Sequence, residues 1–85
     1  MTAAQRRVLE AMLPHNLLTL AAADGKPGHW FIQNRLDVKI HASTGYSVHQ
    51  RGYVERVPRV NDQPFWRHEH RLTDAGRAAL ARTGG

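Results

Sequence analysis

The sequence predicts a small α+β domain, and three observations carry that expectation. Residues 4–13 repeat apolar side chains at helical spacing behind a capping signal. Short apolar runs flank strong turn chemistry at residues 24–28. Gly52 separates a polar helical stretch from a strand, loop, strand and capped helix that run to residue 82. The expected order is a helix, a β-hairpin or short helix, a second helix, a two-stranded hairpin and a C-terminal helix. With 85 residues, the chain is read as one domain over 1–82 with a fraying tail at 83–85.

Each element has a local reason. Thr2-Ala3-Ala4-Gln5 has capping-box spacing, a hydroxyl at the N-cap and a glutamine three residues on. Ala4, Val8, Leu9, Met12 and Leu13 then form one apolar helical face, and Pro14 ends the helix near Leu13. Leu17 to Ala22 and His29 to Ile32 flank Asp24-Gly25-Lys26-Pro27-Gly28, which suits a hairpin with a five-residue loop. Leu17 to Ala23 fits a short helix equally, because Leu and Ala favour helix.

A second helix is expected over 42–50. Ala42, Gly45 and Val48 make a narrow stripe of small side chains, which implies close packing against the first helix, since glycine otherwise weakens a helix. Gly52 suits the left-handed residue that stops a helix. Tyr53 to Pro58 reads as a strand, Arg59 to Pro64 as a loop of turn formers, and Phe65 to Leu72 as the returning strand. Alternation places Trp66, His68, His70 and Leu72 on a core-directed face, with Arg67, Glu69 and Arg71 opposite. Thr73 caps the last helix, with Asp74 at its positive end.

The order of elements from Ser43 to Leu80 resembles that of bacterial winged-helix DNA-binding proteins such as the MarR and PadR families. Arg51-Gly52-Tyr53-Val54-Glu55-Arg56 is similar to the step by which those families leave the recognition helix. Leu72-Thr73-Asp74-Ala75-Gly76-Arg77-Ala78-Ala79-Leu80 is similar to the step that opens their next helix. The resemblance spans about half the chain. It implies a small winged helix-turn-helix, with 42–50 as recognition helix and the hairpin at 53–72 as a two-stranded wing. A hairpin in place of the usual second helix is similar to small phage and actinobacterial winged-helix proteins. The resemblance implies duplex DNA as partner and names no target.

Composition agrees with a polyanionic partner. The formal charge is +5, the sequence pI is near 10.8, and ten of the twelve cationic side chains are arginine. Arginine suits bidentate contacts to phosphate and guanine. Basic, arginine-rich chains also exist that bind no DNA, so charge gains weight only with the order of elements. There is no cysteine, hence no disulfide or thiolate metal site. No apolar run approaches a membrane span, and the N-terminus lacks the apolar stretch of a signal peptide. The expected location is the cytoplasm, at the nucleoid, with no membrane partner. A domain this small buries a limited core, so a homodimer or bound partner fits it.

Within the 42–50 helix, Ser43, Thr44, Tyr46, Ser47 and Gln50 supply donors and acceptors, with Ser47 and Gln50 expected on the outward face. Lys39 and Arg51 flank the helix and suit the phosphate backbone. In the wing, Arg56, Arg59 and Arg67 are candidates for phosphate or minor-groove contact. Glu69 between Arg67 and Arg71 argues equally for a hairpin of cross-strand Arg–Glu pairs. Six histidines are present, and His68-x-His70 has a spacing found in metal sites. A third ligand is not evident, so these two are weak metal candidates and structural roles are preferred. No phosphate loop, nucleophile elbow or paired-carboxylate motif is present, and neither an enzyme nor a cofactor is expected.

The resulting expectation is a sequence-specific duplex-DNA-binding protein, a small transcriptional regulator of phage or bacterial origin. An excisionase-like protein that bends DNA is a close variant. The alternative is a protein-interaction module, such as a phage-encoded inhibitor docking on a host protein through Trp30, Phe31 and Tyr53.

Overall fold

The computed structural model describes residues 1–22, 28–58 and 67–83. Its elements are α1 (Ala3–Ala11), β1 (Leu18–Ala21), β2 (His29–Ile32), α2 (Ala42–Gln50), β3 (Val54–Arg56), β4 (Arg67–Leu72) and α3 (Asp74–Thr83). The expected turn at 24–27, the loop at Arg59 to Pro64, the strand start at Phe65 and Trp66, and the tail at 84–85 lie outside the described residues.

The capping box of α1 forms as its spacing predicts. Thr2 Oγ1 accepts from the Gln5 amide at 3.1 Å, and Gln5 Oε1 accepts from the Thr2 amide at 3.0 Å. The buried stripe is Gln5, Val8, Leu9, Ala11 and Met12. Ala4 and Leu13 are exposed, contrary to expectation. Ala4 lies on the flank of a face centred on Leu9, and Leu13 falls beyond the last helical turn.

Residues 18–21 form a strand, which settles the choice between hairpin and helix there. β1 pairs antiparallel with β2, Leu18 opposite Ile32 and Leu20 opposite Trp30. It pairs antiparallel with β4 on its other side, Leu18 opposite His70. β3 pairs with β4, Val54 opposite Leu72 and Arg56 opposite His70, giving a sheet of order β2-β1-β4-β3. Strand alternation then sets the faces. Leu18, Leu20, Trp30, Ile32, Val54, His68, His70 and Leu72 share the face on which the helices pack. Thr19, Phe31, Glu55, Arg67, Glu69 and Arg71 share the other. Tertiary pairing thus overrides the helix propensity of Leu and Ala in β1.

Helix α2 has the expected bounds, but its packing differs in two respects. Gly45 and Val48 are buried and Ala42 is exposed, so the small stripe is two residues long. Gly45 meets the indole of Trp30 rather than α1: a Cβ there would stand 2.4 Å from Trp30 Cδ2. The glycine is needed because Trp30, only 2% exposed, lies flush beneath the helix. Gly52 stops α2 with φ +76°. Its amide donates to the His49 carbonyl at 3.0 Å, and the Tyr53 amide donates to the Val48 carbonyl at 3.1 Å, the paired bonds of a Schellman stop.

The chain enters β3 directly from that stop. β3 is shorter than the expected 53–58, although the Val57 amide still donates to the Glu69 carbonyl at 2.8 Å. Thr73 then ties the joint together. Its amide donates to the Tyr53 carbonyl at 3.0 Å and its hydroxyl donates to the Gly52 carbonyl at 2.6 Å. The same hydroxyl accepts from the Gly76 amide at 3.0 Å, capping α3. α3 extends through Thr83, one residue past the expected domain end. No helix among the described residues is long and apolar enough to cross a membrane.

Candidate nucleic-acid interface

Because Gly45 and Val48 face the sheet, helical geometry turns Ser43, Tyr46 and Gln50 outward and puts Ala42 and His49 on the flank, and all five are exposed. Ser43, Tyr46 and Gln50 therefore form one polar strip along α2. Tyr46 is 49% exposed and sets its ring edge-on to Trp30, with centroids 5.2 Å apart. That contact fixes the ring while leaving its outer side to solvent. Arg51 is exposed at the C-cap, and Lys39 is exposed just ahead of the helix.

Ser47 is not on this strip. Its Oγ accepts from Gln5 Nε2 at 3.0 Å and donates to the Thr44 carbonyl at 2.8 Å. It anchors α2 to α1 instead of facing outward. Ser47 departs from the outward face that its polarity suggests because Gln5 on the facing helix supplies a polar partner. Thr44 is half-buried in a groove between α1 and the start of α2, lined also by Arg7, Val8, Lys39 and His41.

The electrostatics of α2 are one-sided. No carboxylate occurs between Asp37 and Glu55, a stretch holding Lys39, His41, His49 and Arg51. Asp37 itself is bound by Arg35, with contacts of 3.1 and 3.2 Å, and that hydrogen bonding holds its carboxyl below the usual range. No acidic residue stands in the first turn of α2, and no side chain caps its N-terminus, so the positive end of the helix dipole is not offset there. Arg7, His41 and His49 were not among the expected site residues. The docking of α2 on α1 brings Arg7 and His41 to the groove beside Thr44, and the register of α2 puts His49 against His70.

The wing candidates separate. Arg56 lies opposite His70 and so borders the helix-covered face; it is exposed and contacts His68 Nδ1. Arg67 is half-buried on the opposite face, its guanidinium carbon 5.9 Å from the centre of the Phe31 ring. The structure therefore does not bring Arg67 together with α2. Arg59 lies outside the described residues. Arg71 forms a cross-strand ion pair with Glu55 at 2.9 Å, the ordinary hairpin arrangement, and Glu69 accepts from Gln33 at 2.6 Å.

His70 is buried and its Nδ1 stands 3.2 Å from the Leu18 carbonyl. A carbonyl can only accept, so Nδ1 carries the hydrogen. With His68 contacting Arg56, both histidines have structural partners, and no group of three metal-ligating side chains forms among the described residues. Burial holds His70 below the usual histidine pKa, outweighing the opposing hydrogen bond to Leu18. The expected apolar docking patch also changes. Trp30 is core, Phe31 and Tyr53 are half-buried, and the exposed apolar surface is instead a groove of Phe31, Leu36, Val38 and Ile40, with Leu36 73% exposed.

Comparison with known proteins gives no match to a family model, to a curated protein or to a solved structure.

Proposed function

We propose that this chain is a winged-helix protein that binds duplex DNA, with α2 in the major groove and the β3–β4 hairpin beside it on the backbone. The observation that carries the reading is the outward strip Ser43, Tyr46 and Gln50, flanked by Lys39 and Arg51 in a stretch free of carboxylates. A major-groove helix needs small donors and acceptors on one face and cations at its margins. Strand order adds support. β1-β4-β3, with α2 leading directly into β3, is the arrangement expected of a winged helix; β2, which lies between β1 and α2 in the chain, adds an edge strand beside β1. A small regulator acting by occupancy is the corresponding role, and an architectural role in bending DNA uses the same surface.

The test is selection of a preferred duplex from a random pool, followed by titration of Gln50→Ala on the selected and on a random duplex. A base-reading glutamine loses about 1–3 kcal/mol on the selected site and little on the random one. Equal loss on both, or none on either, removes the base-reading role from Gln50.

A second reading is docking on a protein partner. The groove of Phe31, Leu36, Val38 and Ile40 favours it, because Leu36 is a large apolar side chain left in water. Binding through that groove is insensitive to salt and is lost in Leu36→Asp, whereas DNA binding through α2 is sensitive to salt and survives that change.

A further inference from the structure

Four rings join α2 to the sheet, and one of them titrates from a buried position. Trp30 of β2 and His70 of β4 stand 5.4 Å apart; Tyr46 of α2 meets Trp30, and His49 of α2 sets its ring edge to His70 at 5.2 Å. His70 is 4% exposed, while His49 is open to solvent. The charged or titratable groups that face His70 are His49 from α2, Arg56 from β3 and His68 from its own strand. β2 presents the neutral indole of Trp30, and β1 presents the Leu18 carbonyl. None of these is a carboxylate, so among the described residues a charge on His70 gains no counter-ion, and His49, Arg56 and His68 all oppose it.

We propose that His70 is a pH-sensitive pin for α2, holding the helix on the sheet when neutral and loosening it when protonated. In the neutral ring Nδ1–H donates to Leu18 and the lone pair resides on Nε2. The proton comes from solvent and adds to Nε2, leaving the Leu18 bond intact. The imidazolium then lies buried with no counter-ion among the described residues, beside Arg56 and the two other histidines, and separation of α2 from the sheet admits water to it. The sign follows from linkage. Burial lowers the pKa of His70 in the docked state, so the released state binds the proton more readily. Docking is complete above the ordinary histidine pKa of about 6.5, and weakens as pH falls from there towards the docked-state value. Each unit of difference between the two values shifts the docking equilibrium about tenfold.

The pin rests on packing alone. Its consequence, that DNA affinity depends on pH beyond simple charge, rests on the α2 reading above. The test uses the labelled full chain without DNA, so the two can fail separately. Amide hydrogen exchange, corrected for the intrinsic effect of pH, is compared at about pH 7.5 and about pH 5.5. Protection of α2 relative to α3 falls at the lower pH, by no more than about tenfold for a single proton, and His70→Asn, which retains an N–H donor but cannot titrate, shows no such difference. In the unsubstituted chain, the His70 ring followed by NMR titrates below the ordinary value of about 6.5. This second measurement stands if His70→Asn does not fold. A His70 pKa at or above the ordinary value, as expected if the Trp30 face stabilised the imidazolium, overturns the proposal. So does α2 protection that follows α3 at both pH values.

Discussion

Replacing Gly76 by alanine should destabilise this domain although alanine is the better helix former. Gly76 sits in the first turn of α3, where its backbone lies against the start of β3. A Cβ at this position would stand 2.2 Å from the Tyr53 carbonyl oxygen and 3.1 Å from Leu72 Cδ2. The nearer obstacle is backbone, which cannot rotate away, so the start of α3 must lift by about 1 Å to reach ordinary contact. Lifting strains two bonds that fasten it, the Thr73 amide to Tyr53 and the Thr73 hydroxyl to Gly52. Each contributes about 0.5–1.5 kcal/mol, and disturbance of the Thr73 cap costs about 1 kcal/mol more. The helix-propensity gain of about 1 kcal/mol offsets part of this, leaving a net loss of about 1–3 kcal/mol. For a domain of this size each kcal/mol lowers Tm by about 4–8 °C. Thermal melts followed by circular dichroism measure it, and a Tm equal to or above that of the parent would refute the close approach of α3 to β3.

Other substitutions probe the remaining joints. Gly45→Leu should lower stability by about 1–3 kcal/mol through overpacking against Trp30, with loss of near-ultraviolet ellipticity; an unchanged melt would mean that position 45 faces solvent. Gly52→Ala should cost about 1 kcal/mol for conformational reasons alone, because nothing lies within 4 Å of a Cβ there but φ is +76°; urea midpoints measure this, and no change would contradict the left-handed stop. Ser47→Ala should lose about 1 kcal/mol of stability by removing the Gln5 contact, while leaving discrimination between duplexes intact; a change in sequence preference without a stability loss would return Ser47 to the outward face.

Much of the fold was legible where local chemistry decides structure. The capping box at Thr2 and Gln5, the bounds of α2, the stop at Gly52 and the cap at Thr73 each depend on a few neighbouring residues, and each formed as expected. What was not legible is which element meets which. Gly45 signalled a close approach, yet only the β1–β2 register sets Trp30 beneath it. Ser47 has the polarity of a groove-facing hydroxyl, but its partner Gln5 is 42 residues away in the chain. Trp30 looked like a contact aromatic and lies in the core. Gly76 carried no local reason at all: the carbonyl it accommodates belongs to Tyr53, in the connection between α2 and β3. Ser43, Tyr46 and Gln50 share the outward side of α2, with Lys39 ahead of the helix and Arg51 at its C-cap, whereas Arg67 is turned to the far face of the sheet.

The central claim is that the carboxylate-free face of α2 meets the phosphate backbone of duplex DNA. Fluorescence anisotropy of a labelled duplex, titrated from about 50 mM to about 200 mM salt, tests it most directly, with Arg51→Ala compared against the parent chain. The account predicts affinity that falls steeply with salt, and a logarithmic slope reduced by about one in Arg51→Ala while the melting temperature is unchanged. Folded protein that gives no anisotropy change at the lower salt, or binding whose slope is the same in both chains, would contradict it.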